Sequence, residues 1–181
     1  MQSEGAGVLI LEEWDHAVSR GADVLAEFLG SGSTADAHHI TAPAPGGNGA
    51  VRCMEMALND AGLVPANIGQ INAHGTSTPL NDAAEAHAIS RVFGGSMPYV
   101  TGTKGVTGHS LGAAGALEAV AVVLSILNET IPKTHGTTEI DPEFEDLNLV
   151  YSDSISWSPE PTISNSFGFG GHNGSIVIGP A

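Results

Sequence analysis

Two histidines stand where predicted strands end in polar or glycine-rich turns. His74 lies in Asn72–Pro79 (NAHGTSTP), and His109 ends Gly102–His109 (GTKGVTGH), which leads into an apolar segment with helical periodicity. In layered α/β folds, ligands bind beyond the C-terminal ends of the strands. At a helix N-terminus the dipole disfavours imidazolium, so a neutral His109 could donate a hydrogen bond to a developing oxyanion. The alternatives are a histidine that caps a turn and a glycine-rich turn that only allows close packing.

A buried ion pair is predicted beside these histidines. Glu118 is the only charged residue between Leu111 and Leu127 (LGAAGALEAVAVVLSIL), and Lys104 is one of two lysines in the chain. A carboxylate in an apolar helix is costly unless it is paired, and Lys104 is the nearest suitable cation in the sequence. The pair could be purely structural, or it could fix Lys104 and tune the histidines.

A third segment, Asn165–Gly174 (NSFGFGGHNG), is predicted to form a turn between two strands. Its glycines permit positive φ and close backbone approach, so its amides could face a substrate oxygen. A plain β-turn would explain the glycines but not the two phenylalanines beside them.

A serine motif offers a different chemistry. Gly108–Gly112 (GHSLG) matches the G-x-S-x-G pattern of hydrolases and transacylases. Ser110 would then be the nucleophile, followed in the chain by Asp141 or Asp146 and by His172. The motif needs an apolar strand directly before it, and here a polar turn intervenes. A Ser110-dependent acyltransferase or hydrolase is therefore kept only as an alternative.

Composition limits the possible partners. The 181 residues include 20 acidic and 5 basic side chains, a formal net charge of −15. This charge argues against nucleic acid and anionic membranes as partners, although a surface adapted to high salt would also explain it. One cysteine excludes a disulfide scaffold and fits a reducing, cytoplasmic compartment. The start of the chain shows no secretory signal, and the eight histidines lack metal-binding spacings, so no metal is expected.

Hydrophobic periodicity predicts an α/β fold in which strands alternate with helices and the last strands are adjacent. Strands are predicted at 5–12, 23–30, 70–73, 99–101, 149–152, 163–165 and 175–178, and helices at 14–20, 51–62, 82–93 and 110–128. The last helix is apolar on every side and should be buried on every side. A membrane span is disfavoured by its central carboxylate. A single sheet can cover only one face of this helix. The chain is therefore predicted to be half of a larger assembly, whose other half covers the opposite face.

Three segments in this order, NAHGTSTPLND, GTKGVTGHSLGAAGALEA and NSFGFGGHN, resemble the β-ketoacyl-[acyl-carrier-protein] synthases of the chain-elongating type. The resemblance implies a thiolase-like, layered α/β fold. This chain is similar to its C-terminal half, with a mixed sheet and a buried central helix. Residues 1–36 resemble the last strands of the N-terminal half, and residues 37–181 resemble the C-terminal half.

The resemblance also implies a reaction. In that family an acyl chain is carried on a cysteine, and malonyl-carrier protein is decarboxylated to a carbanion that attacks it, in fatty acid biosynthesis. His74 and His109 would donate hydrogen bonds to the malonyl thioester oxygen. Lys104, paired with Glu118, would support the site electrostatically.

The remaining implied roles concern substrate delivery and partners. Thr76 and Thr78 would bind the phosphopantetheine arm of acyl carrier protein, and no cofactor bound by the chain itself is implied. Phe169 would gate the acyl pocket, and its amide would contribute to an oxyanion hole. Cys53 lies within a predicted helix without an adjacent base, so the nucleophile must come from a cysteine-bearing N-terminal half, and the complete enzyme would be a homodimer. A non-catalytic chain-length-determining subunit is the alternative within the fold.

Overall fold

A computed structural model describes all residues from 1 to 181. The helices are α1 (Trp14–Ser19), α2 (Asn48–Asp60), α3 (Pro79–Phe93), α4 (Lys104–Thr107) and α5 (Ala114–Leu127). The strands are β1 (Glu27–Ala35), β2 (Gln70–Asn72), β3 (Tyr99–Thr101), β4 (Thr130–Ile131), β5 (Asn148–Leu149), β6 (Ile155–Ser156), β7 (Thr162–Gly168) and β8 (His172–Gly179). None of the helices combines the length and the apolar character needed to cross a bilayer.

Six strands form one mixed sheet in the order β1-β8-β7-β2-β3-β5, and β4 pairs with β6 separately. Strands β7, β2, β3 and β5 run parallel, whereas β8 is antiparallel to both β7 and β1. The paired parallel strands β2 and β3 are joined through α3, and β3 and β5 through a longer connection that contains α5, as parallel neighbours require. This mixed α/β sheet confirms the predicted fold class.

Helices cover both faces of the sheet. Helices α2 and α3 pack on one face around Met54, Ile71 and Phe93, all fully buried. Helix α5 packs on the other face, where Val122 and Ile178 belong to a smaller apolar cluster. Since successive residues of a strand point to opposite faces, the two clusters are separated by a single layer of backbone.

Glycines in β1 let α2 approach this edge strand closely. A Cβ atom on Gly32 would lie 2.2 Å from the carbonyl oxygen of Cys53 in α2. The thiol of Cys53 donates to the carbonyl of Gly32 at 3.2 Å. Close helix–sheet packing therefore explains the glycine, and Cys53 is a buried packing residue, as predicted.

The predicted strand at 5–12 is wrong for this chain, because those residues have no strand partner to hydrogen-bond. They run extended along α5 instead, so close that a Cβ on Gly7 would lie 2.9 Å from the backbone of Ala116. A strand is defined by its neighbours, and residues 5–12 pair with no strand of either sheet.

Helix α5 is only partly covered on the side away from the sheet. Its buried residues include Ala119, Val122 and Ile126, which face the sheet, while Leu124 and Leu127 remain 53% and 48% exposed. The sequence predicts burial on every side, whereas within this chain the C-terminal end of the helix is exposed on one side. The helix also begins later than predicted, because Leu111 adopts a positive φ of 54° and a 3-10 turn precedes Ala114.

The remaining differences lie at strand ends. Strand β1 begins four residues later than the predicted start at 23 and continues to Ala35. The short pair β4–β6 was not predicted, because two-residue strands carry no periodicity. The residues 27–35 assigned by resemblance to the N-terminal half pair with β8 along their length. The division at residue 36 stays a prediction.

Candidate active site

The candidate site lies at the C-terminal ends of β2 and β3. His74 follows β2 by two residues, and Lys104 follows β3 by three. A cleft of about 500 Å³ opens over these strand ends, and its walls include Lys104, His109, Thr76 and Gly102. Ligands bind at such strand ends in parallel α/β sheets, so the cleft stands where the sequence predicts it.

The two predicted histidines come together. The ring centroids of His74 and His109 are 5.6 Å apart, with the ring planes at 85°. His74 is buried, with 7% of its surface exposed, and His109 is half-buried at the cleft wall. Two side chains that are 35 residues apart in the sequence thus lie beside each other, with His109 in the cleft wall.

Hydrogen bonds fix the same tautomer in both rings. The Lys104 ammonium lies 3.4 Å from Nδ1 of His74, and the backbone N–H of Leu111 donates to Nδ1 of His109 at 3.3 Å. An ammonium only donates, as does a backbone N–H, so both Nδ1 atoms accept. Each neutral imidazole therefore carries its proton on Nε2 and can donate it to a ligand oxygen.

Burial keeps both imidazoles neutral at pH 7. It lowers the pKa of His74 to about 3, with the charge of Lys104 and the neighbouring His109 acting in the same direction. Burial and Lys104 also lower the pKa of His109. Two neutral donors at one point can stabilise a negative charge that develops on a ligand oxygen.

Lys104 and Glu118 form the predicted buried ion pair, with side chains 6% and 2% exposed. The ammonium also donates to the carbonyl oxygen of His74, so Lys104 links the helix to the histidine loop. Burial raises the pKa of Glu118 to about 7, although Lys104 opposes the rise. One carboxylate oxygen of Glu118 has no hydrogen-bond partner.

Sequence analysis missed Glu85, which supports the His74 loop from α3. Its carboxylate accepts the backbone N–H groups of His74 at 2.8 Å and Gly75 at 2.9 Å, and the side-chain amide of Asn165 at 3.2 Å. Burial raises the pKa of Glu85, and these hydrogen bonds act against the rise. The available signal was a carboxylate one turn before Ile89, on the buried face of a helix.

Of the residues predicted to bind substrate, Thr76 lies in the cleft wall. The hydroxyls of Thr76 and Thr78 are 2.9 Å apart, and Thr76 lines the cleft. Phe169 stands in the turn between β7 and β8 with 77% of its surface exposed. The ring beside His74 belongs instead to Phe167, at a centroid distance of 5.8 Å.

The serine alternative finds no support in the geometry. The hydroxyl of Ser110 is buried and has no hydrogen-bond partner. Asp141 instead caps a turn by accepting the backbone N–H of Glu143. A serine nucleophile needs a base within hydrogen-bond reach, so the structure does not assemble the triad. Burial raises the pKa of the Cys53 thiol, which makes it a poor nucleophile as well.

Solved structures identify the class of protein. The fold matches "The ishigamide ketosynthase/chain length factor" with a TM-score of 0.95 and 39% identity, covering 100% of this chain and 44% of that one. It also matches one chain of a solved complex, described as a type II PKS acyl-carrier protein in complex with its ketosynthase, with a TM-score of 0.90 and 35% identity. The match covers 94% of this chain and 42% of that one. The fold is therefore that of the thiolase-like ketosynthases.

Sequence comparison identifies the family. Residues 25–138 match the Beta-ketoacyl synthase, C-terminal domain. The chain is 47% identical to the 3-oxoacyl-[acyl-carrier-protein] synthase 2 of Synechocystis sp. over 180 residues, which are 98% of this chain and 43% of that protein. The chain belongs to the β-ketoacyl synthase family, as its motifs predicted, and spans less than half the length of these relatives.

Proposed function

We propose that this chain is the C-terminal half of a 3-oxoacyl-[acyl-carrier-protein] synthase and carries its decarboxylation site. The convergence of two neutral imidazoles, His74 and His109, each with Nε2–H free to donate, is the observation that carries the proposal. The substrate would be malonyl thioester on the phosphopantetheine of acyl carrier protein, in fatty acid elongation.

Both histidines act on the thioester oxygen. As the bond between the malonyl methylene carbon and its carboxylate breaks, the electron pair moves into the thioester to form an enolate, and carbon dioxide leaves. The two Nε2–H groups stabilise the negative oxygen by hydrogen bonding. The low pKa values of the two histidines keep both rings neutral, and the N–H of a neutral imidazole is too weakly acidic to transfer its proton to the enolate oxygen. The carbanion carbon then attacks the acyl thioester on a cysteine of the N-terminal half, and the cysteine thiolate leaves.

Lys104 is a supporting residue in this scheme. It holds Nδ1 and the carbonyl of His74, while Glu118 holds Lys104. The ammonium therefore fixes the donor tautomer of His74 and favours its neutral state.

Substrate delivery is assigned to the residues at the mouth of the cleft. Thr76 and Thr78 present two adjacent hydroxyls, which suit the amide groups of a pantetheine arm. Phe169 is exposed on a turn, which is compatible with a gate over the acyl pocket and with its amide facing an acyl oxygen.

The partners follow from what the chain leaves uncovered. Apolar side chains of α5 (Leu124, Leu127) and of the N-terminal segment (Val8, Ile10) are exposed, which suits contact with a cysteine-bearing half. The complete synthase would then be a homodimer that receives acyl carrier protein. A related ketosynthase is described in complex with its acyl-carrier protein.

A non-catalytic chain-length subunit is the competing proposal, since a ketosynthase/chain length factor has the same fold. A subunit that catalyses no reaction has no need for two imidazole N–H donors held beside each other. The hydrogen bond between Lys104 and His74 and the edge-to-face contact of His74 with His109 therefore favour the catalytic role.

The test is to co-express this chain with the cysteine-bearing N-terminal part of the Synechocystis relative and to measure malonyl decarboxylation and 3-oxoacyl product. We expect turnover in the wild-type assembly and a loss of about 100-fold or more in His74→Ala. His16→Ala, in an exposed histidine of α1, is the matched control and should retain activity. A folded assembly without decarboxylation, or one indifferent to His74→Ala, would overturn the proposal.

A further inference from the structure

The motif Asn165–Gly174 contains two phenylalanines, and the structure separates them. Strand β7 ends at Gly168, so Phe167 belongs to the strand and Phe169 to the turn. The ring of Phe167 lies 5.8 Å from that of His74 at an angle of 57°. Phe169, two residues further, points its ring largely into solvent.

Phe167 is held on a rigid element. It is half-buried and packs against the larger apolar cluster of the core. Its neighbour across the β7–β8 ladder is Asn173, whose side-chain amide donates to Asp36 at 2.8 Å and to the carbonyl of Gly171 at 3.3 Å. The hairpin end that carries Phe167 is therefore fixed through β8.

The hydrogen bonds of His74 do not by themselves fix the plane of its imidazole ring or exclude water from it. Glu85 holds its backbone N–H, and Lys104 holds its carbonyl and Nδ1. These bonds act on one edge of the ring and on the main chain, while His109 meets it at right angles. The orientation of the imidazole plane and the exclusion of water from it need an apolar surface, and Phe167 is the aromatic ring that provides one.

We propose that Phe167 is a positioning residue that fixes the plane of the His74 imidazole and shields it from water, so that Nε2–H points at the thioester oxygen. The role in catalysis rests on the proposed function, whereas the contact itself does not. It differs from the gating role of Phe169, because Phe167 acts through His74 and need not touch substrate. The low pKa of His74, caused first by burial, agrees with such shielding.

The first measurement is the titration of His74 in the full 181-residue chain with isotope-labelled histidine, followed by NMR. The titration extends to pH 3, and in wild type we expect the His74 signals to stay largely neutral, with the proton on Nε2, from pH 8 down to about pH 4. Phe167→Ala should admit water to the His74 ring and raise the midpoint of its protonation by about one pH unit or more. The neutral ring should then populate both the Nδ1–H and the Nε2–H tautomer. Phe167→Tyr should keep the wild-type behaviour. Phe169→Ala, two residues away, is the matched control and should leave His74 unchanged.

The second measurement uses the assembled synthase. Phe167→Ala should lower kcat for malonyl decarboxylation about tenfold and change KM less than about twofold, since the donor is misaligned while the pantetheine contacts remain. If Phe167→Ala is folded and leaves both the His74 titration and kcat unchanged, the positioning role is refuted. If Phe167→Leu matches wild type in the titration, bulk alone suffices and the aromatic role is refuted. If the titration shifts as expected but no wild-type assembly turns over, the proposed function fails and the positioning of His74 stands.

Discussion

Replacing Glu118 with leucine should lower the free energy of unfolding by about 3 kcal/mol. The pair it forms with Lys104 is almost fully buried, with side chains 6% and 2% exposed. Removing one member of a buried pair leaves the other charge without compensation, which costs about 3–5 kcal/mol. The lower end applies here, because the ammonium keeps its contacts with the carbonyl and Nδ1 of His74.

The double variant Lys104→Met/Glu118→Leu should lose only about 1–2 kcal/mol, the cost of leaving the carbonyl of His74 without its donor. A double-mutant cycle from urea unfolding, followed by far-UV circular dichroism at pH 8, measures the coupling between the two side chains. Glu118→Gln is the control that keeps the shape and one acceptor. A loss of less than about 1 kcal/mol in Glu118→Leu, or a double variant as unstable as the sum of the singles, would refute the reasoning.

Three further outcomes follow from the same contacts. Because the folded pKa of Glu118, about 7, lies above its ordinary value of 4.5, protonation of this carboxyl favours the folded state, and this proton-linked contribution is full below pH 4.5 and is lost as the pH rises through 7. It is separate from the cost of leaving Lys104 unpaired, which is measured at pH 8. Urea unfolding at pH 5 and pH 8 should therefore show a smaller difference in Glu118→Gln than in wild type, and an equal difference would contradict this. Gly32→Ala should destabilise the chain by about 2 kcal/mol or more, because its Cβ would lie 2.2 Å from a backbone oxygen of α2, whereas Gly95→Ala, with open space around it, should unfold like wild type. Glu85→Gln should cost about 2 kcal/mol, since one amide oxygen cannot accept all three N–H groups, and should move the backbone amide resonance of His74; an unmoved resonance argues against the support role.

The proximity of the His74 and His109 imidazoles could be predicted from the sequence, because it depends on the position of each histidine after a strand. His74 follows β2 by two residues, the segment with His109 follows β3, and neighbouring parallel strands end at the same edge of a sheet. The pairing of Lys104 with Glu118 was equally accessible, because a carboxylate in an apolar helix has few possible partners.

The missed features depend on contacts that no local pattern encodes. Glu85 meets Asn165 across 80 positions, and its helix carries ordinary alanine-rich periodicity. Residues 5–12 were predicted as a strand because they have the composition of one. A strand forms only where a neighbouring strand supplies hydrogen bonds, and these residues have no such neighbour. Likewise, Phe167 and Phe169 look equivalent in sequence, and only the end of β7 at Gly168 separates them.

The shared tautomer of His74 and His109 has a consequence for small-molecule screening. Because each Nδ1 already receives a hydrogen bond, the pair can offer an incoming compound nothing but N–H groups. Compounds with a single exposed carbonyl or sulfonyl oxygen can accept from both rings at once, whereas primary amines and amidines find no lone pair there. A fragment library enriched in compact acceptors should therefore give hits at this point of the cleft that a cationic library does not.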